Sequence, residues 1–219
     1  AIFIGTLLRG NSYISELILH SNELTPSGAT IVVKQLLRTL KTLDIANIVH
    51  VEERAKGEKK GDKKNVAMQP AVVAPPEQIE ALWAAIASLG SLEKLTMDRD
   101  HLKDLKDLGK LLSLKTLSLA NNKLSYLPDD LARTRGLRHM VLSGNHLREL
   151  HAAVGDLEHL ERLDVRANQL KFLPSSCSRL RGLKQLDASE NMITTLEPSI
   201  CDLHECERLE LKDNPLMRP

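Results

Sequence analysis

Apolar residues recur in one fixed frame along the second half of the chain. Each copy has the form LxxLxLxxNxL, in which x is most often polar and the leucine positions accept other apolar residues. The asparagines of successive copies, Asn122, Asn145, Asn168, Asn191 and Asn214, are 23 residues apart. Alternation of apolar and polar residues in LxL predicts a short strand with its apolar side chains facing inward. A fixed period of this length predicts a solenoid of stacked units.

The frame resembles that of the leucine-rich repeat family. Its first complete copy here consists of Leu114, Leu117, Leu119, Asn122 and Leu124, and tandem copies in register make the match specific. The resemblance implies an α/β solenoid, shaped like a horseshoe, with a concave parallel β-sheet. Helices or short helical turns are then expected on the convex side.

The asparagines fall where the backbone must turn after each strand. A buried turn leaves amide and carbonyl groups that need partners, and an asparagine side chain carries both a donor and an acceptor. A general preference of asparagine for turns explains one copy but not a whole series in register. The resemblance therefore implies a structural asparagine ladder, which is expected to contain Asn22, Asn122, Asn145, Asn168, Asn191 and Asn214.

The units of the first half are longer. The copy that contains Asn22 is followed after 26 residues by the next one, and apolar residues between them recur at helical spacing. A second helical stretch follows Pro76, which suits a first helical turn. These units resemble the ribonuclease-inhibitor-like subclass of the family. We expect one domain over 1–219, with helix-backed units at 1–50 and 76–102 and shorter, 23-residue units at 103–219.

Two positions and one segment depart from the frame. Ile48 and Asp100 stand where asparagine is expected, and aspartate accepts but cannot donate, so we expect a weaker ladder there. Residues 51–75 contain no copy of the frame, and the stretch from Glu52 to Lys64 has no apolar residue larger than alanine. We predict that 51–75 is a disordered insertion. Its lysines are diluted by acidic residues, which favours a solvated loop over a basic arm.

Composition narrows the classes of function. The formal net charge of +1 gives no general attraction to nucleic acid or to a membrane surface. The chain has no apolar run long enough to span a bilayer, and we expect no signal peptide. It has only three cysteines, and none forms the Cys-rich caps common in extracellular relatives, which favours a reducing, cytoplasmic location. Cytoskeletal, ciliary or nuclear association stays open. Both ends look cut, so a fragment of a larger protein is expected.

The sequence offers no clear site for catalysis. Cys201, His204 and Cys206 form a CxxHxC cluster, but Cys206 occupies an apolar position of the frame and a fourth ligand is missing. We therefore predict no metal site. No nucleophile–base pair, phosphate-binding loop or pair of carboxylates stands out, so we expect no enzyme activity, no cofactor and no small-molecule substrate.

The outward strand positions are the candidate binding surface. These positions form columns along the sheet, and their charge is concentrated in the last three units. An acidic column flanked by basic residues either binds a basic segment of a partner or is neutralised by its own neighbours. The predicted partner-binding residues are Arg162, Asp164, Arg166, Gln185, Asp187, Arg208, Glu210 and Lys212.

The function favoured by these features is a non-catalytic protein–protein interaction scaffold or adaptor. One alternative is a regulator of a small GTPase, because RanGAP-type activators are ribonuclease-inhibitor-like arrays. Another is the substrate- or ligand-recognition arm of a ubiquitin ligase or a receptor. In each case the partner is expected to be a protein, within a larger complex.

The insertion can be tested by replacement. Because its composition gives it little to pack with, exchanging residues 52–70 for a short Gly-Ser linker should leave the melting temperature nearly unchanged. Hydrogen exchange checks the same point independently. Protected amides within 52–70 would contradict the prediction and would indicate a further packed unit.

Overall fold

The structure, a computed structural model, describes residues 8, 11, 13–22, 24–35, 40–48, 50–51, 72–73 and 75–217. The larger part of residues 51–75, namely 52–71 and 74, lies outside the described residues, so the predicted insertion stays a prediction there. The helices are α1 (Pro26–Gln35) and α2 (Pro76–Ala87). The strands are β1 (Glu16–Ile18), β2 (Thr42–Asp44), β3 (His50–Val51), β4 (Val72–Val73), β5 (Lys94–Thr96), β6 (Thr116–Ser118), β7 (His139–Val141), β8 (Arg162–Asp164), β9 (Gln185–Asp187) and β10 (Arg208–Glu210).

Eight of these strands form one parallel sheet. Their order is β1-β2-β5-β6-β7-β8-β9-β10, which follows the order of the chain. Each strand is three residues long, and its central residue pairs with the central residue of the next strand. β2 pairs directly with β5, with Leu43 opposite Leu95. The extra length between these two strands therefore places no strand between them in the main sheet.

The core lies behind this sheet as a continuous row of apolar side chains. The central residues of β2 and of β5–β9 are buried, whereas that of β10, Leu209, is 42% exposed. Leucines that precede and follow each strand, such as Leu114 and Leu119, add to the same row. The frame thus places every apolar position of a unit against the units on both sides.

The back of the sheet changes from α-helix to shorter turns along the chain. α1 and α2 back the first units and contact each other, each burying one apolar side, with Val33 and Ile86 as examples. Later units carry 3-10 helical turns, at Leu108–Lys110, Asp129–Arg133, Ala152–Asp156, Ser175–Arg179 and Pro198–Asp202. The difference follows unit length, since 23 residues leave too few for a full helix after the strand and turn.

The two ends of the segment predicted as an insertion are not irregular. β3 and β4 pair antiparallel, with His50 opposite Val73 and Val51 opposite Val72. Three of these residues, Val51, Val72 and Val73, fall within the predicted disordered range 51–75. Valine is a residue type favoured in strands. The predicted insertion is therefore closed at its base by a two-stranded sheet.

Asparagine side chains bond each unit to the one before it. The Asn145 Oδ1 accepts from the Leu124 N–H at 3.0 Å, and its Nδ2 donates to the Leu119 carbonyl at 2.9 Å. A third bond, from Nδ2 to the Leu142 carbonyl at 2.8 Å, closes its own turn. Asn122, Asn168, Asn191 and Asn214 make the same three kinds of bond.

The ladder changes at its N-terminal side. Asp100 is fully buried, and its Oδ1 accepts from the Ile48 N–H at 2.8 Å, so the acceptor half of the contact is kept. Asn22 is exposed, and its Nδ2 donates to the Leu19 carbonyl of its own turn at 3.0 Å. An exposed asparagine amide can exchange its hydrogen bonds for bonds to water at little cost, whereas the buried side chains of Asn122, Asn145, Asn168 and Asn191 cannot.

Replacing a buried asparagine in the middle of the ladder should destabilise the fold. Asn168→Ala leaves the Leu147 N–H without its side-chain acceptor. It also removes one of the two asparagine bonds to each of the Leu142 and Val165 carbonyls, so it should lower the free energy of unfolding by about 1 to 3 kcal/mol. Asn22→Ala is the matched control and should change it by less than about 0.5 kcal/mol. Urea unfolding measures both. Equal effects of the two substitutions would contradict a stabilising role for the buried rungs.

Candidate functional site

The open face is the surface formed by the outward side chains of the main sheet. In every strand the first and third residues flank a central apolar one and point away from the core. The register places these residues in two columns. The first contains Lys94, Thr116, His139, Arg162, Gln185 and Arg208, and the second contains Thr96, Ser118, Val141, Asp164, Asp187 and Glu210.

Three acidic residues follow one another in the second column. Asp164 pairs with Asp187 across β8 and β9, and Asp187 pairs with Glu210 across β9 and β10. Neighbouring strands lie about 4.8 Å apart, so like charges stand close together here. We call Asp164, Asp187 and Glu210 the acidic column. Each of its members is half-buried.

Within the acidic column, Asp164 has a clearly raised pKa. Burial of its carboxyl group raises its pKa above the ordinary value of 3.8, and the neighbouring charge of Asp187 raises it further. A hydrogen bond from the Arg166 N–H to Oδ1, at 3.1 Å, acts in the opposite direction. The nearby charge of Arg162 also favours the ionised form. Burial is the larger effect, so the ionised carboxylate is costly in the folded chain.

The aspartates also have a local structural role that sequence reasoning missed. Asp187 Oδ1 accepts from the Ser189 N–H at 3.0 Å and from its hydroxyl at 2.5 Å. In Asp164 the equivalent bond comes from the Arg166 N–H. One oxygen of each carboxylate therefore holds the turn after its strand. Aspartate two residues before a polar turn residue is the sequence signal that could have indicated this role.

The flanking basic residues neutralise the acidic column only in part. Arg208 Nε bonds Glu210 Oε1 at 2.7 Å, within the same strand. Arg166 pairs with Glu190 and not with the acidic column, and its Nε donates to Glu190 Oε1 at 3.1 Å. Lys212 Nζ lies 3.9 Å from Asp213 Oδ2. Arg162 is exposed and acts on Asp164 through its charge. The face is thus a mixed charged surface with an acidic centre.

The structure brings most of the predicted binding residues together. A shallow depression of about 90 Å³ on the open face is lined by five of them, Arg162, Gln185, Asp187, Arg208 and Glu210. Asp164 stands next to it in register, whereas Arg166 and Lys212 follow β8 and β10 and bond elsewhere. The depression is far smaller than a typical small-molecule pocket of about 300 to 1,000 Å³.

A second set of charges at the start of the strands was not foreseen. Glu93 lies between two lysines, 3.1 Å from Lys41 and 2.5 Å from Lys115. Glu161 lies between Arg138, at 2.6 Å, and Lys184, at 3.6 Å. These contacts lower the pKa of both glutamates, with the Lys115 and Arg138 hydrogen bonds as the largest causes. The signal in the sequence is the charged residue that directly precedes each strand of the main sheet from β2 onward.

The cysteines and the membrane question add little to the site. Across the described ranges, no three His, Cys, Asp or Glu side chains are placed to hold a metal ion. Cys177 is buried, which raises the pKa of its thiol to about 12, and Cys201 is exposed. In the described part of the chain, none of the helices has the length and apolar character to cross a bilayer.

Comparisons with known proteins identify the repeats. The family models described as leucine rich repeat match residues 113–133 and 155–216. The chain therefore contains leucine-rich repeats, and the matched ranges lie in the 23-residue units. A search of curated proteins finds no match.

Solved structures show the fold. A leucine-rich repeat protein of Leptospira interrogans matches with a TM-score of 0.70 and 24% identity, over 95% of this chain and 45% of that one. An internalin (inlF) of Listeria monocytogenes matches with a TM-score of 0.65 and 20% identity, over 96% of this chain and 58% of that one.

A plant peptide hormone receptor, RGFR1 in complex with RGF2, matches with a TM-score of 0.64 and 17% identity, over 95% of this chain and 34% of that one. The chain thus spans less than two thirds of the length of each of these three proteins. Together with the parallel sheet, the matches confirm the predicted leucine-rich repeat solenoid.

The raised pKa of Asp164 predicts that removing its charge stabilises the folded chain in a pH-dependent way. A raised folded-state pKa gives stability that is present below the ordinary pKa of 3.8 and lost as the pH rises through the folded value. Asp164→Asn keeps an oxygen for the Arg166 N–H but carries no charge. The variant should therefore be more stable than the parent at pH 7, and the difference should disappear in acid.

Glu93→Gln is the control with the opposite sign. Its pKa is lowered by Lys115 and Lys41, so its stabilising contribution is present at neutral pH and lost as the pH falls through the folded value. Thermal unfolding of both variants and the parent at several pH values measures the two trends. A loss of stability in Asp164→Asn at pH 7 would show that the charge itself is needed for folding.

Proposed function

We propose that the chain is a non-catalytic interaction scaffold or adaptor that binds a protein partner across β8–β10 on the open face. The observation that carries the proposal is the acidic column, Asp164, Asp187 and Glu210, whose members stand in register and half-buried. A surface that serves only to stay solvated has no need of like charges at neighbouring strand positions.

The turn bonds do not explain the negative charge. Asparagine offers the same side-chain oxygen to the N–H groups of Arg166 and Ser189 that aspartate offers in the structure. It would avoid both the cost of burying a charge at Asp164 and the repulsion between Asp164 and Asp187. The charge is thus costly for the isolated fold, and binding of a basic partner segment is the role that offsets this cost.

The partner that suits this face is a protein segment rich in lysine or arginine. Its cations would meet the second oxygens of the aspartates, and Arg162 would bind a carboxylate of the same partner. Both columns from β5 to β10 lack phenylalanine, tyrosine and tryptophan. Aromatic anchors on this face are therefore not what would give affinity. The interaction should be rapid, salt-sensitive and of moderate affinity.

The similar structures support protein recognition in general. The plant receptor is described as a peptide hormone receptor in complex with RGF2, which makes a bound polypeptide a natural ligand class for such an array. We place this chain inside the cell, because Cys177, Cys201 and Cys206 are all free thiols. The net charge of +1 favours neither nucleic acid nor a membrane as the partner.

Small-GTPase regulation is a second candidate function. It draws on α1 and α2, which back the first units as true helices and so favour the ribonuclease-inhibitor-like subclass for that part of the chain. A GTP turnover assay with a panel of small GTPases separates the two candidates. Stimulated turnover would favour the regulator, whereas binding without turnover favours the scaffold.

The experiment for the scaffold compares two matched double variants. Asp164→Asn with Asp187→Asn removes charge from the acidic column and keeps both turn bonds. Asp44→Asn with Asp98→Asn is the control, because Asp44 and Asp98 also bond turn N–H groups, those of Ala46 and Ala120, but lie in earlier units. Quantitative affinity purification with each variant and the parent identifies the proteins that depend on the acidic column.

We expect specific partners to be captured by the parent and the control and lost from the first variant, with capture falling as salt is raised. Circular dichroism verifies that both variants keep the fold. An unchanged set of partners in the Asp164 and Asp187 variant would exclude this face as the site. Equal losses in both variants would do the same.

A further inference from the structure

A cavity of about 560 Å³ lies on the back of the array, away from the open face. It is formed between α2 and the segment 101–107 of the next unit. The helix contributes Pro76, Ile79, Trp83 and Ala84, and the facing segment contributes Leu102. Its volume falls within the range of about 300 to 1,000 Å³ that is typical of small-molecule sites.

The cavity arises where the backs of the units change in thickness. α2 has 12 residues, whereas the next unit carries only the three-residue turn Leu108–Lys110 at the corresponding place. A full helix is wider than the segment 101–105 beside it, which is neither helix nor strand. Two neighbouring units that both carried a helix would pack against each other here. Because only one of them does, a recess remains, and one side of α2 lines it.

The walls of the recess are held in place. Trp83 is 4% exposed, and its indole Nε1 donates to the Lys106 carbonyl, which ties α2 to the facing segment. Leu102 is fully buried, and its N–H donates to Asn122 Oδ1 at 3.0 Å. A cavity whose walls are fixed in this way needs little rearrangement to bind a ligand.

The charges at the rim favour an anion. The Asp104 carboxylate lies 3.6 Å from Lys106, and that of Asp107 lies 2.9 Å from Lys110. Among the side chains that the structure describes, Lys103 and Lys123 have no ion-pair partner. The lining contains three lysines and three carboxylates, and Lys110, which pairs with Asp107, adds a fourth cation, so the rim carries one net positive charge.

We propose that this cavity binds a small amphipathic anion, with its apolar body against Ile79, Trp83 and Ala84 and its carboxylate or sulfonate toward Lys103 and Lys123. Burial of the apolar body supplies most of the affinity. The two ammonium groups orient the ligand through charge-assisted hydrogen bonds. The site is separate from the acidic column and does not depend on the function proposed for the open face.

The chain contains its own reporter for this site. Trp83 is the only tryptophan in the sequence and lines this cavity, so its fluorescence reports a ligand bound there. The probe is 8-anilinonaphthalene-1-sulfonate, which has an aromatic body and one sulfonate and accepts energy from tryptophan. Binding should quench Trp83 and produce sensitised probe emission. N-phenyl-1-naphthylamine, which lacks the sulfonate, should bind roughly tenfold more weakly.

Two pairs of variants test the two parts of the ligand. Ala84→Phe fills the cavity and should abolish the energy transfer, whereas Ala81→Phe, at an exposed position of α2 outside the cavity, should not. Lys103→Gln with Lys123→Gln should weaken the sulfonate probe roughly tenfold and leave the neutral probe unchanged. Lys94→Gln with Lys171→Gln, two exposed lysines outside the cavity, is the charge control and should change neither.

Transfer that survives Ala84→Phe, or the absence of any transfer in the parent, would overturn the proposed site. Equal weakening by both lysine pairs would overturn the anion preference, because it would reflect the overall charge alone. If Ala84→Phe lowers the melting temperature sharply, Ala84→Glu replaces it. That substitution places a negative charge at the exposed rim and should repel the sulfonate while the neutral probe still binds.

Discussion

The hydrogen bonds of the buried asparagines are the constraint on which the rest of the structure depends. A turn that follows a buried strand carries N–H and carbonyl groups that water cannot reach, and these must be bonded in every unit. Asn145 meets this need for the preceding unit through Leu124 and Leu119, and for its own unit through Leu142. Because the asparagine side chain is short, it can bond the backbones of two consecutive units only if those units lie in one register. The columns of the open face and the continuous core both follow from that register.

Much of the fold could be predicted from the sequence because it repeats. Alternation around Leu163 and Leu186 placed Arg162 beside Gln185, and Asp164 beside Asp187, and the strand pairing has the same neighbours. Helical spacing before Leu40 and after Pro76 indicated the two helices, which the structure contains as α1 and α2. A periodic pattern averages over many units, so local irregularities do not obscure it.

The features that could not be predicted come from contacts between unlike parts. The cavity beside Trp83 forms because a unit backed by an α-helix adjoins a unit backed by a short 3-10 turn. The sequence pattern of one unit alone does not show this difference. The pairing of Val51 with Val72 joins the two ends of a segment that matches no unit. In the candidate site the columns were predicted, whereas the turn-holding role of Asp164 and Asp187 was missed, although the polar residue two positions after each aspartate is a signal for it. The role depends on side-chain rotamers that bring Oδ1 to an N–H two residues later.

The ladder also has a direction along the chain. From Asn122 to Asn214, each asparagine of the ladder bonds backbone groups of its own unit and of the unit before it, as Asn168 does with Val165 and with Leu142 and Leu147. The turn of any unit is therefore completed by the unit that follows it. The ribosome makes the chain from the N-terminus. The turn of the most recently made unit therefore lacks some of its side-chain hydrogen bonds until the asparagine of the next unit has been synthesised. The array should then fold in steps that trail synthesis by one repeat, and each finished unit serves as the template for its successor.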